Sequence, residues 1–118
     1  MTVILIVEDE SLIAADIEMM VEERGFSVLG PCRTVEAALA AVAEAPPDAA
    51  LLDMNLGDGI TSIPVARDLK TRAIPMAFVS GYTASTIDLP KDLADTPRLS
   101  KPIAEPALAQ LLRDLTSG

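Results

Sequence analysis

Five short apolar stretches rich in β-formers, each followed by a stretch with helical spacing, limit the fold of this chain more than any other feature. The first, Thr2–Val7, is apolar without inside-outside alternation, the pattern of a strand covered on both faces of a parallel sheet. From Glu10 to Arg24 the spacing becomes helical, with Ile13, Ile17, Met20 and Val21 on one side and Gly25 as the stop. Phe26–Leu29 is the second expected strand, ended by Gly30 and Pro31. Thr34 then caps a helix carrying Val35, Ala38, Leu39 and Val42, closed by Pro46 and Pro47. Ala49–Leu52 is the third strand, and Ser62 is placed to cap a third helix running to about Thr71, with Pro64 tolerated in its first turn. Ala73–Ser80 supplies the fourth strand, with Pro75 confined to its start, and Thr83–Leu89 a short, weakly patterned helix. Thr96–Leu99 is the fifth strand, before a final helix with Leu108, Leu111, Leu112 and Leu115 in register.

Strands alternating with helices at this period predict a doubly wound α/β fold: a five-stranded parallel sheet with five helices on its two faces, since parallel strands need long right-handed crossovers. The flavodoxin-like order 2-1-3-4-5 is the expected strand order. The 118 residues fit one domain, residues 1–118, with no room for a second.

Composition removes several functions. A formal net charge of −9 opposes nucleic-acid binding, which is driven by cationic side chains displacing counterions. No apolar run approaches the roughly 20 residues of a membrane-spanning helix, so no membrane role is expected. The lone Cys32 and the lack of a signal-like N-terminus suit a cytoplasmic protein. Histidine is absent, so carboxylates, hydroxyls and amines must carry any chemistry.

Those groups stand where the apolar runs stop. Glu8 and Asp9 follow the first, Asp53 the third, Ser80 ends the fourth, and Lys101 and Pro102 come just after the fifth. In an open parallel sheet the carboxyl ends share one edge, where ligands bind. Two adjacent carboxylates repel unless a cation sits near them, and a charged Asp53 at the lip of the core is costly unless paired. A divalent metal and Lys101 are suitable partners. Taken singly, an acid pair at a helix start or an Asp ending a strand is an ordinary turn feature; the four signals in register favour one site.

With Val7-Glu8-Asp9, Leu51-Leu52-Asp53-Met54-Asn55, Val79-Ser80-Gly81-Tyr82 and Ser100-Lys101-Pro102 in order and at matching spacing, the chain resembles the receiver domain of bacterial two-component response regulators over essentially its whole length. The resemblance implies a signalling module and not an enzyme in its own right. Asp53 is then the phosphoacceptor, taking a phosphoryl group from a phosphohistidine on a sensor histidine kinase or a histidine phosphotransfer protein and altering contacts with a downstream protein target. It further implies Mg²⁺ held by Glu8, Asp9, Asp53 and the Asn55 carbonyl, with Asp9 the most direct ligand and Glu8 acting through water. Lys101 and the Ser80 hydroxyl would meet the phosphoryl group, with the backbone N–H groups of Met54 and Gly81 as further donors and the bond before Pro102 a candidate for the cis form.

The sequence departs from the family at three places. Arg98 stands three residues before Lys101, where most receivers carry a switch aromatic, so Tyr82 and the short helix Thr83–Leu89 become the candidates for a two-state element. The loop after Asp53 is shorter by two residues than the common arrangement. Pro75-Met76-Ala77-Phe78-Val79-Ser80-Gly81-Tyr82 partly matches the Phe-Ala-Thr-Gly-Tyr pattern of single-domain regulators, mostly alphaproteobacterial, which implies a stress or signalling relay with kinases of the HWE type. The alternative is a receiver module cut from a longer multidomain response regulator or hybrid kinase. A phosphatase resembling haloacid dehalogenases would need an acid where Asn55 stands, and a flavin carrier would not place Glu8-Asp9-Glu10 in its phosphate loop. A degenerate receiver would not keep the full set of acids and the lysine.

Overall fold

The computed structural model describes residues 2–81 and 89–117. Its elements in chain order are β1 (Val3–Val7), α1 (Ser11–Glu23), β2 (Ser27–Cys32), α2 (Val35–Glu44), β3 (Ala49–Asp53), α3 (Ile63–Thr71), β4 (Met76–Ser80), a 3₁₀ turn (Lys91–Leu93), β5 (Arg98–Ser100) and α4 (Glu105–Thr116). All strand pairs are parallel and the order is β2-β1-β3-β4-β5, the flavodoxin-like arrangement. Four α-helices stand among the described residues where five were expected. The fifth, expected over Thr83–Leu89, falls on residues outside the description except for Leu89, which is not helical.

Strand side chains alternate between faces, and here both faces are apolar. Leu5, Val7, Ala50, Leu52, Met76 and Phe78 pack with Ala38, Val42, Val65, Ala66 and Leu69, which places α2 and α3 on one side. Ile4, Ile6, Ala49, Leu51, Ala77 and Val79 pack with Ile17, Val21, Leu108 and Leu112, which places α1 and α4 on the other. The central strands therefore show no polar alternation because neither face meets water.

Strand ends account for the departures from the sequence reading. β2 does not stop at Leu29 but runs through a cis Gly30-Pro31 bond to Cys32. Leu5 pairs with Leu29 and Val7 with Cys32, so β2 carries one extra residue there. Gly30 has φ +98°, and a Cβ on it would lie 2.5 Å from the Cys32 nitrogen, so only glycine fits this bulge. Proline is tolerated because β2 is an edge strand. β5 begins at Arg98, with the Phe78 N–H donating to the Pro97 carbonyl at 2.8 Å.

At the N-termini, Thr34 caps α2 as expected, its hydroxyl accepting from the Ala37 N–H at 3.1 Å. Ser62 precedes α3 but makes no side-chain cap; its hydroxyl is buried without a partner among the described residues. β4 starts at Met76 because Ala73 closes α3: its N–H bonds the Lys70 carbonyl and the Ile74 N–H the Leu69 carbonyl, the Schellman pattern. Ala73 holds φ 59°, where glycine is the usual residue. The same cap after α1 uses Gly25, φ +88°.

An L-residue in the left-handed region costs about 1–2 kcal/mol, against about 0.5–1 kcal/mol of extra chain entropy for glycine. Ala73→Gly is therefore expected to raise the unfolding free energy by about 0.5–1 kcal/mol in urea titrations. A loss of stability would show that Ala73 does not hold that conformation in solution.

Candidate functional site

The side-chain parity that builds the core also builds the site. Glu8 continues Ile4 and Ile6, Asp53 continues Ala49 and Leu51, and Lys101 continues Leu99, all on the α1/α4 side of the sheet. Ile4 pairs with Ala49 and Ile6 with Leu51, so the same register sets Glu8 beside Asp53. Val79 pairs with Asp53 and with Leu99, so Lys101 stands one step further along, two strands from Asp53, with Gly81 between. A Cβ on Gly81 would lie 4.0 Å from the Lys101 Cδ. The lysine stem thus crosses the end of β4 over a residue with no side chain.

Lys101 Nζ reaches both acids, 2.9 Å from Glu8 Oε1 and 3.2 Å from Asp53 Oδ2. The Glu8 contact is an ion pair outside good hydrogen-bond geometry. Glu8 is 1% exposed and Asp53 4%. Burial, with the neighbouring Asp53 carboxylate, pushes the Glu8 carboxyl up to about 7, although Lys101 and the Glu10 N–H pull it down. Burial would lower the Lys101 ammonium, but Glu8 and Asp53 outweigh it and raise it.

The two loops beside this pair bring in Asp9 and Asn55. The Glu8 N–H donates to the Cys32 carbonyl at 2.9 Å, the Glu10 N–H to Glu8 Oε2 at 3.1 Å, and Arg33 Nη2 to the Asp9 carbonyl at 3.2 Å. Asn55 pairs with Thr61 in an isolated antiparallel bridge whose bonds, Leu56 N–H to Ile60 carbonyl and Ser62 N–H to Met54 carbonyl, use its neighbours. The Asn55 N–H is thereby left to donate to Asp53 Oδ1 at 3.3 Å, while its Oδ1 accepts from the Gly57 N–H at 2.9 Å. A Cβ on Gly57 would come within 3.4 Å of Asp9 Oδ2, so the shortened loop lies directly against Asp9.

Ligand oxygens of Glu8, Asp9 and Asp53 all lie within 4.8 Å of one another. Octahedral Mg²⁺ binds oxygen at about 2.0–2.1 Å, so its ligands are about 3–4 Å apart, within a small adjustment of this spacing. Three carboxylates against one ammonium leave an excess of negative charge that a divalent cation offsets. The donor set therefore fits Mg²⁺, with Asp9 the carboxylate that has no ion pair among the described residues.

The structure gathers Glu8, Asp9, Asp53, Asn55 and Lys101 as the sequence suggested. Ser80 ends β4 at this edge, buried, with its carbonyl accepting the Lys101 N–H at 2.9 Å. Met54 is corrected as a donor: its N–H is spent on the Val79 carbonyl at 3.0 Å, and Asn55 supplies the N–H that faces Asp53. The bond before Pro102 is cis. Arg98, at the switch-aromatic position, is exposed, and Tyr82 lies outside the described residues. Arg33 was missed, because nothing in the sequence signals that β2 extends far enough to deliver it. The closeness of Gly57 to Asp9 is visible only in three dimensions.

Comparison with known proteins agrees with this geometry. The phyllosphere-induced regulator PhyR of Methylorubrum extorquens is 41% identical over 83 residues, covering 69% of this chain and 31% of that protein. The chain thus spans about a third of that relative's length. The solution structure of SdrG from Sphingomonas melonis Fr1 superposes with a TM-score of 0.85 at 41% identity, covering 98% of this chain and 96% of that one. The anti-anti-sigma factor PhyR from Bartonella quintana gives 0.79 at 31% identity, over 94% of this chain and 45% of that one. Residues 4–113 match the profile of the response regulator receiver domain. With its sheet order, its cluster of acids and lysine, and that match in agreement, the chain belongs to the response regulator receiver domain family.

Proposed function

We propose that the chain accepts a phosphoryl group on Asp53 from a phosphohistidine of a sensor histidine kinase or histidine phosphotransfer protein, in a Mg²⁺-dependent reaction that changes its contacts with a downstream protein. The observation that carries this reading is a nearly buried Asp53 paired with Lys101 at 3.2 Å, with the Glu8 and Asp9 oxygens alongside. In the transfer, an Asp53 oxygen forms a bond to phosphorus as the phosphorus–nitrogen bond breaks, the electron pair returning to the donor imidazole. Glu8, Asp9, Asp53 and the Asn55 carbonyl would hold Mg²⁺, which when bound neutralises charge on the transferred group.

This chain's own residues supply the positioning. Lys101 on Oδ2 and the Asn55 N–H on Oδ1 fix the carboxylate plane before the donor arrives. Afterwards the Lys101 ammonium follows the charge onto a phosphoryl oxygen, its flexible stem passing over Gly81. The Ser80 hydroxyl, at the end of the intervening strand, is the group that senses the new oxygens.

The likeness to SdrG and to PhyR, one relative being an anti-anti-sigma factor and another a stress response regulator, supports a place in a stress-signalling relay, in which the phosphoryl donor would be a kinase of the HWE type. No helix among the described residues is long and apolar enough to cross a membrane, which is consistent with cytoplasmic action.

Asp53→Asn is expected to abolish incorporation from acetyl phosphate without lowering the metal-free melting temperature; labelling that persists would move the acceptor elsewhere. Chelation of Mg²⁺ is expected to stop labelling of the wild type, and metal-independent labelling would contradict the roles given to Glu8 and Asp9.

The raised Glu8 carboxyl sets a pH dependence. Its folded pKa, about 7, lies above the unfolded value of 4.5. The stability it contributes is present in full below the unfolded value and is lost as pH rises through the folded one. The metal-free melting temperature is therefore expected to fall as pH rises from 4.5 to about 7, and Glu8→Gln to flatten that fall. Equal slopes in the two proteins would assign the effect to other groups.

A further inference from the structure

Asp9 sits between the end of β1 and the start of α1, in a loop with little regular structure to hold it. Its side chain abuts Gly57, and its carbonyl accepts a hydrogen bond from Arg33 Nη2 at 3.2 Å. Arg33 is exposed but placed with care. On one side, Cys32 ends β2 and accepts the Glu8 N–H; on the other, Thr34 caps α2. The extra residue at Gly30-Pro31 brings Cys32 level with Val7, which carries the following arginine up to the Asp9 loop.

From these contacts we infer that Arg33 is a positioning residue for the metal site: by clamping the Asp9 carbonyl, it holds the Asp9 carboxylate in place for Mg²⁺. The inference deepens the proposed function and depends on that reading of the Glu8, Asp9 and Asp53 cluster.

The sign of the effect separates positioning from charge. A guanidinium near an acidic site repels a cation, so if Arg33 acted through its charge alone, removing it would tighten Mg²⁺ binding. If it holds Asp9, removing it weakens binding although a repulsion has gone. Arg33→Lys keeps the charge and one donor with similar reach, and restores part of the affinity.

The test is a Mg²⁺ titration of the full chain, followed by the ¹H–¹⁵N shifts of Asn55 and Gly57, for wild type, Arg33→Ala, Arg33→Lys and Asp9→Asn. Arg33→Ala is expected to weaken Mg²⁺ binding about fivefold, the scale of one hydrogen bond, with Arg33→Lys in between. Its metal-free melting temperature is expected to match the wild type. Unchanged or tighter binding in Arg33→Ala, or a fall in metal-free stability that accounts for the loss, overturns the role of Arg33. A wild type that binds no Mg²⁺, or an Asp9→Asn variant that binds it equally well, overturns instead the reading of the cluster.

Discussion

Glu8 and Asp53 share one ammonium, that of Lys101, in a volume almost closed to water. Two buried carboxylates beside a single cation are an unstable arrangement unless something else takes up the excess charge. Protonation of Glu8, a bound divalent cation or a change in the charge on Asp53 each relieves it. A metal ion or a phosphoryl group at this site would act through that one electrostatic imbalance, and the rest of the fold serves to hold these groups at that distance.

The sheet performs that service through parity. On β1 and β3 the residue that follows the apolar run falls on the α1/α4 side, and the register sets Glu8 and Asp53 side by side. Lys101 comes from two strands away, over Gly81. Asp9 and Asn55 are held by loops instead, one clamped by Arg33 and the other by its bridge to Thr61. This division suits the parts proposed for them: the strands would fix the acceptor and its counter-ion, while the loops would complete the set of oxygens offered to the metal.

Much of this was legible in the sequence, because it follows from local patterns. Uniform apolar runs announced buried parallel strands, and the acids and lysine at their ends announced the edge where they meet. What escaped detection depends on backbone geometry that residue types alone do not settle. Gly30 and Pro31 look like a terminator, yet on an edge strand they form a bulge and the strand continues. Ala73 looks like the start of a strand, yet it closes a helix in a conformation that alanine seldom takes. Ser62 occupies the capping position without capping, and the resemblance pointed to the Met54 N–H as a donor because only the register shows which N–H is spent on the neighbouring strand.

The central claim is that the phosphoryl group is carried by the carboxylate at the end of β3. Borohydride reduction of the freshly phosphorylated protein converts an aspartyl phosphate to homoserine, and mass spectrometry of the peptides locates it. The account predicts homoserine at position 53 and nowhere else; its appearance at Asp9 or another acid, or its absence from a fully labelled protein, would contradict it.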